Sequence, residues 1–169
     1  MSRQGSAEFR SLEDVLAHQL EDLYEAEVRI LDGLPKMAEA ASSRPLKDLL
    51  QKDLEEARRQ LQRLEGVFTM MGLRHGGVTC EAMKGLIKDC EVAAGAKGDA
   101  DARDALLIAS VQRIKHYEIA GYGSARTFAA RLGLHDIARQ LQFTLQEEAA
   151  ADRKLTEVAE AEVNAAAVH

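Results

Sequence analysis

The stretch GLRHGGVTCEAMKGLIKDCEVAAGAKG, Gly72 to Gly98, decides the fold. It is punctuated by Gly72, Gly76, Gly77, Gly95 and Gly98. Between the glycines, Met83, Leu86, Ile87 and Cys90 recur at helical spacing, so a short helix is predicted there, with Thr79 placed to cap it. Upstream, the stripe Leu12, Leu16, Leu20, Leu23, Ile30 and Leu34 marks a long helix. Ser11 opens it, with Asp14 three residues on as in a capping box. Pro35 should kink it, though the stripe continues through Met37, Ala38 and Ala41. The turn Ser42-Ser43-Arg44-Pro45 leads into a second helix carrying Leu46, Leu50, Leu61, Leu64 and Phe68, and Gly72 closes it. Downstream, a helix is predicted from near Asp99 to Leu132, ended by Gly133, and another from about Asp136 with Ile137, Leu141, Leu145 and Leu155.

The two tight turns make two antiparallel hairpins. The Gly72–Gly98 link is long enough to travel the length of the bundle between them. One long crossover between hairpins is the ferritin-like arrangement: an all-α four-helix bundle, here with a short fifth helix in the crossover. A cytokine-type bundle needs two long crossovers. The expected domain is 11–164, preceded by a flexible segment, 1–10.

Composition agrees. The 169 residues suffice for one domain, 46% of them are hydrophobic, and there are only 2 prolines. Turn-rich all-β folds are thereby disfavoured. Against 22 basic residues stand 28 acidic ones, a net charge of −6, so nucleic acid is not an expected partner. No apolar run is long enough to cross a membrane, and the N-terminus lacks the apolar core of a secretory signal. Cys80 and Cys90 form neither a CxxC pair nor a disulfide framework, which suits the cytoplasm.

Each long helix carries acids in or beside its apolar stripe. Glu27 follows Leu16, Leu20 and Leu23; Glu118 lies between Ile114 and Tyr122; Glu148 and Asp152 interrupt the run from Leu145 to Leu155. On the second helix Asp53, Glu56 and Gln60 flank the stripe. Glu118 and Glu148 are equidistant from Gly133, ~22 Å from that turn at ~1.5 Å per residue. Glu27 and Glu56 are likewise nearly symmetric about the first turn. Spacings of 91 or 92 residues relate Glu27 to Glu118, Glu56 to Glu148 and Gln60 to Asp152. A duplicated hairpin with one acid-bearing layer is the plan of a dinuclear carboxylate site. The candidate metal ligands are Glu27, Glu56, Gln60, Glu118, Glu148 and Asp152. Hard oxygen donors of this kind suit iron or manganese. Tyr24 and Tyr122, each near an acid, are candidates to hydrogen-bond a ligand carboxylate. No Glu-x-x-His pair is present, and the histidines at 18, 75, 116, 135 and 169 fall off the stripes or in loops. The run Gly121 to Ala125, GYGSA, lies mid-helix and reads as close helix packing.

The strings LEDVLAHQLEDLYEAEVRIL, LPKMAEAASS, TCEAMKGLIKD, RIKHYEIAGYGSARTFAARLG and LQEEAAADRKLTEVAE resemble the YciF/YciE family of ferritin-like bacterial stress proteins. The resemblance runs from Ser11 to about Glu160. It implies a helical bundle, a dimer, and inward acids at Glu27, Glu56, Glu118, Glu148 and Asp152 around a dinuclear metal site with no assigned reaction. It also implies, in many members, a histidine at the positions of Asp53, Arg58 or Gln60; this chain has none there.

Two readings follow. The first is a stress-response protein with a dinuclear iron or manganese site, related to peroxide or redox chemistry. The second is a metal-free structural or interaction bundle that has lost the chemistry. A homodimer is expected because Val15, Val28, Ile30, Leu31, Ile108, Ile119 and Phe128 widen the apolar faces beyond one stripe per helix.

Overall fold

The computed structural model describes residues 8–168. The flexible segment expected at 1–10 lies mostly outside the described residues. Helix α1 spans Leu12–Ala40, α2 Arg44–Met71, α3 Glu81–Ala94, α4 Ala100–Arg131 and α5 His135–Val158. A π-helical turn, Ala159–Val163, and a last helical turn α6, Asn164–Ala166, continue α5. The expected two hairpins and crossover helix are present. The chain stays ordered somewhat beyond 164, with Ala159 and Val163 buried against the core.

The caps are local chemistry. Ser11 Oγ accepts from Asp14 N at 3.1 Å and Asp14 Oδ2 accepts from Ser11 N at 3.0 Å, which satisfies two of the free amides at the start of α1. Gly72 closes α2 at φ 65°, a left-handed conformation that a β-carbon disfavours. The predicted Thr79 cap is corrected to Cys80, whose Sγ accepts from Met83 N at 3.4 Å. Cys80 N is itself held by Glu25 Oε2 at 2.8 Å. Pro35 does not end α1, which runs through it to Ala40. The buried neighbours Leu34, Met37 and Ala38 hold the last turn in place of the one hydrogen bond lost.

The hairpins are tied at one end by a buried acid, Asp104, that belongs to none of the apolar stripes. Asp104 of α4 accepts from the backbone amides of Ser42 and Ser43 in the α1–α2 turn, at 3.0 and 2.5 Å. Further along, α1 and α4 approach closely at Gly121, where an added β-carbon would sit 2.7 Å from Leu23 Cδ2. The reading of GYGSA as packing holds at Gly121; Gly123 faces open space.

Helix α3 lies across α1 and α4 and takes up much of the surplus apolar width. Ile30 and Ile108 are buried, and Leu31 packs against the same core together with Leu86 and Ile87. Val28 remains exposed.

Two apolar cores result. One contains Leu16, Leu20, Leu23, Leu64, Phe68, Tyr122 and Leu141. The other contains Ile30, Leu34, Leu46, Leu50, Leu107, Val111 and Leu155. Along all four long helices the residues between these cores are polar and buried: Glu27, Asp53, Gln60, Lys115, Glu118 and Glu148.

Candidate functional site

The polar layer is built by helical spacing. On α2 the buried series is Leu46, Leu50, Asp53, Ala57, Gln60 and Leu64, in alternating steps of four and three. On α4, Val111, Lys115, Glu118 and Tyr122 follow the same steps, and all are buried. Helix α1 adds Glu27 and α5 adds Glu148.

Lys115 stands at the centre, 1% exposed. Its ammonium donates to Glu148 Oε2 at 2.8 Å, Asp53 Oδ1 at 2.9 Å and Glu118 Oε2 at 3.1 Å. Three donors meet three carboxylates from three helices. Glu148 is satisfied on its other oxygen as well, since Gln60 Nε2 donates to Oε1 at 2.7 Å. Gln60 also donates to Glu147 Oε2 at 3.1 Å, and Arg63 Nη1 reaches the same oxygen at 2.8 Å. On the far side, Tyr122 Oη donates to Glu27 Oε1 at 2.5 Å. Four oxygens of the layer have no hydrogen-bond partner within the protein: Glu27 Oε2, Asp53 Oδ2, Gln60 Oε1 and Glu118 Oε1.

The electrostatics follow from one cation among four acids in a buried layer. Burial, with repulsion from Glu148, pushes Glu27 up to about 8. Burial raises Asp53 to about 6, even with Lys115 pulling it down. Glu118 is pushed well up, by burial and then by Glu148. Burial alone would lower Lys115, but Asp53, Glu118 and Glu148 together hold it well above the usual lysine range. These shifts favour a charged ammonium and favour protons on Glu27 and Glu118.

Of the six expected ligands, the structure brings together Glu27, Gln60, Glu118 and Glu148. Glu56 and Asp152, expected in the same layer from the 91–92 residue offsets, lie outside its hydrogen-bond network. Glu56 sits one position off the buried series of α2 and pairs with Lys52 at 3.4 Å. Asp152 accepts from Gln112 Nε2 at 3.1 Å and faces the exposed His116 at 3.3 Å. Asp53 takes the inward place instead. Tyr122 does meet a layer carboxylate. Tyr24 does not: its ring packs on Phe68 and His75, with centroids 5.9 and 4.3 Å away. Lys115 does not stand out in the sequence because its neighbour Ile114 also fits the apolar stripe. The step of four from Val111, followed by three to Glu118, was the available signal.

This set does not fit a dinuclear metal centre. The position shared by Asp53, Glu118 and Glu148 is held by an ammonium, no imidazole among the described residues faces the layer, and two of the expected donors lie outside its hydrogen-bond network. Among the described residues, no group of three or more His, Cys, Asp or Glu is arranged to hold a metal ion.

Two hairpins, one long crossover and a mid-bundle layer of inward acids define a ferritin-like helical bundle protein. Within that class, the chain belongs to the family described as a domain of unknown function, DUF892, whose model matches residues 11–168. It is 38% identical to protein YciF of Escherichia coli strain K12 over 156 residues, 92% of this chain and 94% of YciF. The crystal structure of that E. coli stress protein superposes with a TM-score of 0.89, covering 92% of this chain and 99% of YciF. YcfI from Rhodopseudomonas palustris is 43% identical, with a TM-score of 0.85 over 90% of this chain and 97% of that one. A Xanthomonas campestris protein, 21% identical with a TM-score of 0.72, shares the fold. The resemblance to the YciF/YciE family is thus borne out.

Proposed function

We propose that this protein is a metal-independent member of its family: a helical bundle with a structural or interaction role in the stress response, locked at its middle by an internal cation. The observation that carries this reading is the Lys115 ammonium, within 3.1 Å of three carboxylates from three helices. A charged amine there, together with the protons that burial favours on Glu27 and Glu118, offsets much of the charge of the four inward acids without an added ion. The description of YciF as a stress protein supports the cellular setting. YcfI, a relative of similar shape, has been put forward as a structural protein, which supports the role. The cytoplasm belongs to the same proposal, supported by two buried, unpaired cysteines. So does a homodimer, for which Val28 on α1 and Val92 on α3 remain exposed; light scattering should return twice the 18.5 kDa chain mass.

The deciding experiment is metal analysis of protein purified without chelator, then loaded with iron or with manganese. The expected result is less than about 0.2 metal per chain and an unchanged melting temperature, since an ion that does not bind the folded state cannot stabilise it. One or two metals per chain with a raised melting temperature would overturn the reading in favour of a dinuclear redox protein using Glu27, Glu118 and Glu148.

A further inference from the structure

Helices α2 and α5, which join the two hairpins, pack less closely than the partners within either hairpin. Between them lies a cleft of about 300 Å³. Its walls are Leu49, Leu50, Phe143, Ala150, Ala151 and Leu155. The two alanines leave the room, and the Phe143 ring is 49% exposed at the mouth.

The polar residues of the lining have no free charge to offer an occupant. At the rim, Lys52 is paired with Glu56, Lys154 with Glu157 and Glu147 with Arg63. Asp53 reaches the lining but is turned to the layer: Oδ1 is bonded to Lys115, and Oδ2 is buried out of contact with solvent. Gln146, the remaining polar residue, is uncharged. A charged ligand would therefore give up water without gaining a partner, whereas an apolar one exchanges water for carbon on every wall. Size narrows the class further. An apolar cavity of about 150 Å³ accepts benzene, so this one has room for a single ring with a short alkyl chain. The exposed Phe143 ring gives such a ring an aromatic neighbour at the mouth.

We infer that the α2–α5 cleft is a binding site for a small uncharged apolar molecule of the alkylbenzene kind, held between Leu50, Phe143 and Leu155. The site draws on none of the hydrogen bonds of the Lys115 layer, and it stands whether or not that layer holds metal.

The test is titration of the full chain with ethylbenzene, followed by amide NMR shifts and calorimetry, with 2-phenylethylammonium and phenylacetate as charged comparisons. The expected result is saturable binding at one site per chain, with shifts centred on Leu50, Phe143 and Leu155. Both charged analogues should bind at least tenfold more weakly. Ala151→Phe should fill the cleft and reduce affinity for ethylbenzene at least tenfold. Phe143→Ala, at an exposed position where the fold is least at risk, should reduce it several-fold and keeps the test open if Ala151→Phe does not fold. Equal binding of either charged analogue would overturn the inference, as would shifts centred elsewhere or full affinity in Phe143→Ala. So would the absence of saturable binding, which is the outcome if a second copy of the chain seals the cleft.

Discussion

In the α1–α2 hairpin the inward polar residues are Glu27, Asp53 and Gln60; in the α4–α5 hairpin they are Lys115, Glu118 and Glu148. Glu27 and Glu118 occupy matching places, 91 residues apart, and both are buried. The other matched pairs have diverged. Glu148 is buried and inward where Glu56 pairs with Lys52 at the edge of the bundle, and Gln60 is buried where Asp152 is pulled toward Gln112 and His116. The α4–α5 hairpin brings the cation, and the α1–α2 hairpin brings the third carboxylate and the amide that surround it. Two halves of similar layout have become complementary, so the layer now cross-links the hairpins: Lys115 to Asp53 on one side, Gln60 to Glu148 on the other.

Removing the cation should break this complementarity most severely. Lys115→Met keeps most of the side-chain volume but leaves Asp53, Glu118 and Glu148 facing one another without compensation. Breaking a buried charge network from one side destabilises by about 3–5 kcal/mol. Chemical denaturation of the variant at neutral pH should show a loss of that order. A loss below about 1 kcal/mol would mean that the ammonium is not the element that joins the hairpins.

The diverged pair Glu148 and Glu56 sharpens the comparison next. Glu148→Ala strips Lys115 of one acceptor and Gln60 of another, and opens a cavity in the layer. A loss of about 2–4 kcal/mol is expected. Glu56→Ala breaks only a partly exposed pair with Lys52, and should change stability by about 0.5 kcal/mol or less. Glu148→Leu, which would be stabilising if Glu148 were merely an acid stranded in an apolar stripe, is expected to destabilise too, because both of its oxygens are engaged. Parallel melting curves of the three variants check this; equal shifts for Glu148→Ala and Glu56→Ala would erase the distinction between the hairpins.

How much of this was legible beforehand differs between fold and site. The fold was, because Ser11, Gly72, Gly133 and the turn at 42–45 mark helix ends with strong local chemistry, and link lengths then leave few topologies. The level of the polar layer was legible too, since Glu27, Glu118 and Glu148 sit within stripes. The occupants on α2 were harder. Residues 53, 56 and 60 all lie near the stripe, and a rotation of ~100° per residue makes one position the difference between core and rim. Lysine is so seldom fully buried that Lys115 reads as surface until three carboxylates are seen around it. Asp104 was hidden for another reason: its partners are the backbone amides of Ser42 and Ser43, 62 and 61 residues away, which no periodicity reveals.

The smallest and most diagnostic effect concerns the matched pair that both hairpins kept. Glu27, with its folded value near 8, holds a proton that the unfolded chain releases near the ordinary glutamate value of 4.5. Between those two values the folded state binds more protons than the unfolded one, so this residue's contribution to stability is fullest below about pH 4.5 and falls as pH rises toward 8. Asp53 and Glu118, also raised, act in the same direction. Glu147, lowered by its hydrogen bonds with Arg63 and Gln60 despite burial, acts oppositely. The limiting slope for one group is about 1.4 kcal/mol per pH unit. Glu27→Gln cannot ionise, yet its carbonyl still accepts from Tyr122. The variant should therefore match the parent within about 1 kcal/mol at pH 5, and gain on it by about 1 kcal/mol or more per unit up to pH 7. Glu56→Gln, at the member of its diverged pair that lies outside the hydrogen-bonded layer, serves as the control and should run parallel to the parent. Denaturation midpoints of the three proteins at pH 5, 6 and 7 measure this directly. Parallel lines for the parent and Glu27→Gln would show that Glu27 is already ionised in the folded layer, with its charge balanced by something other than a proton.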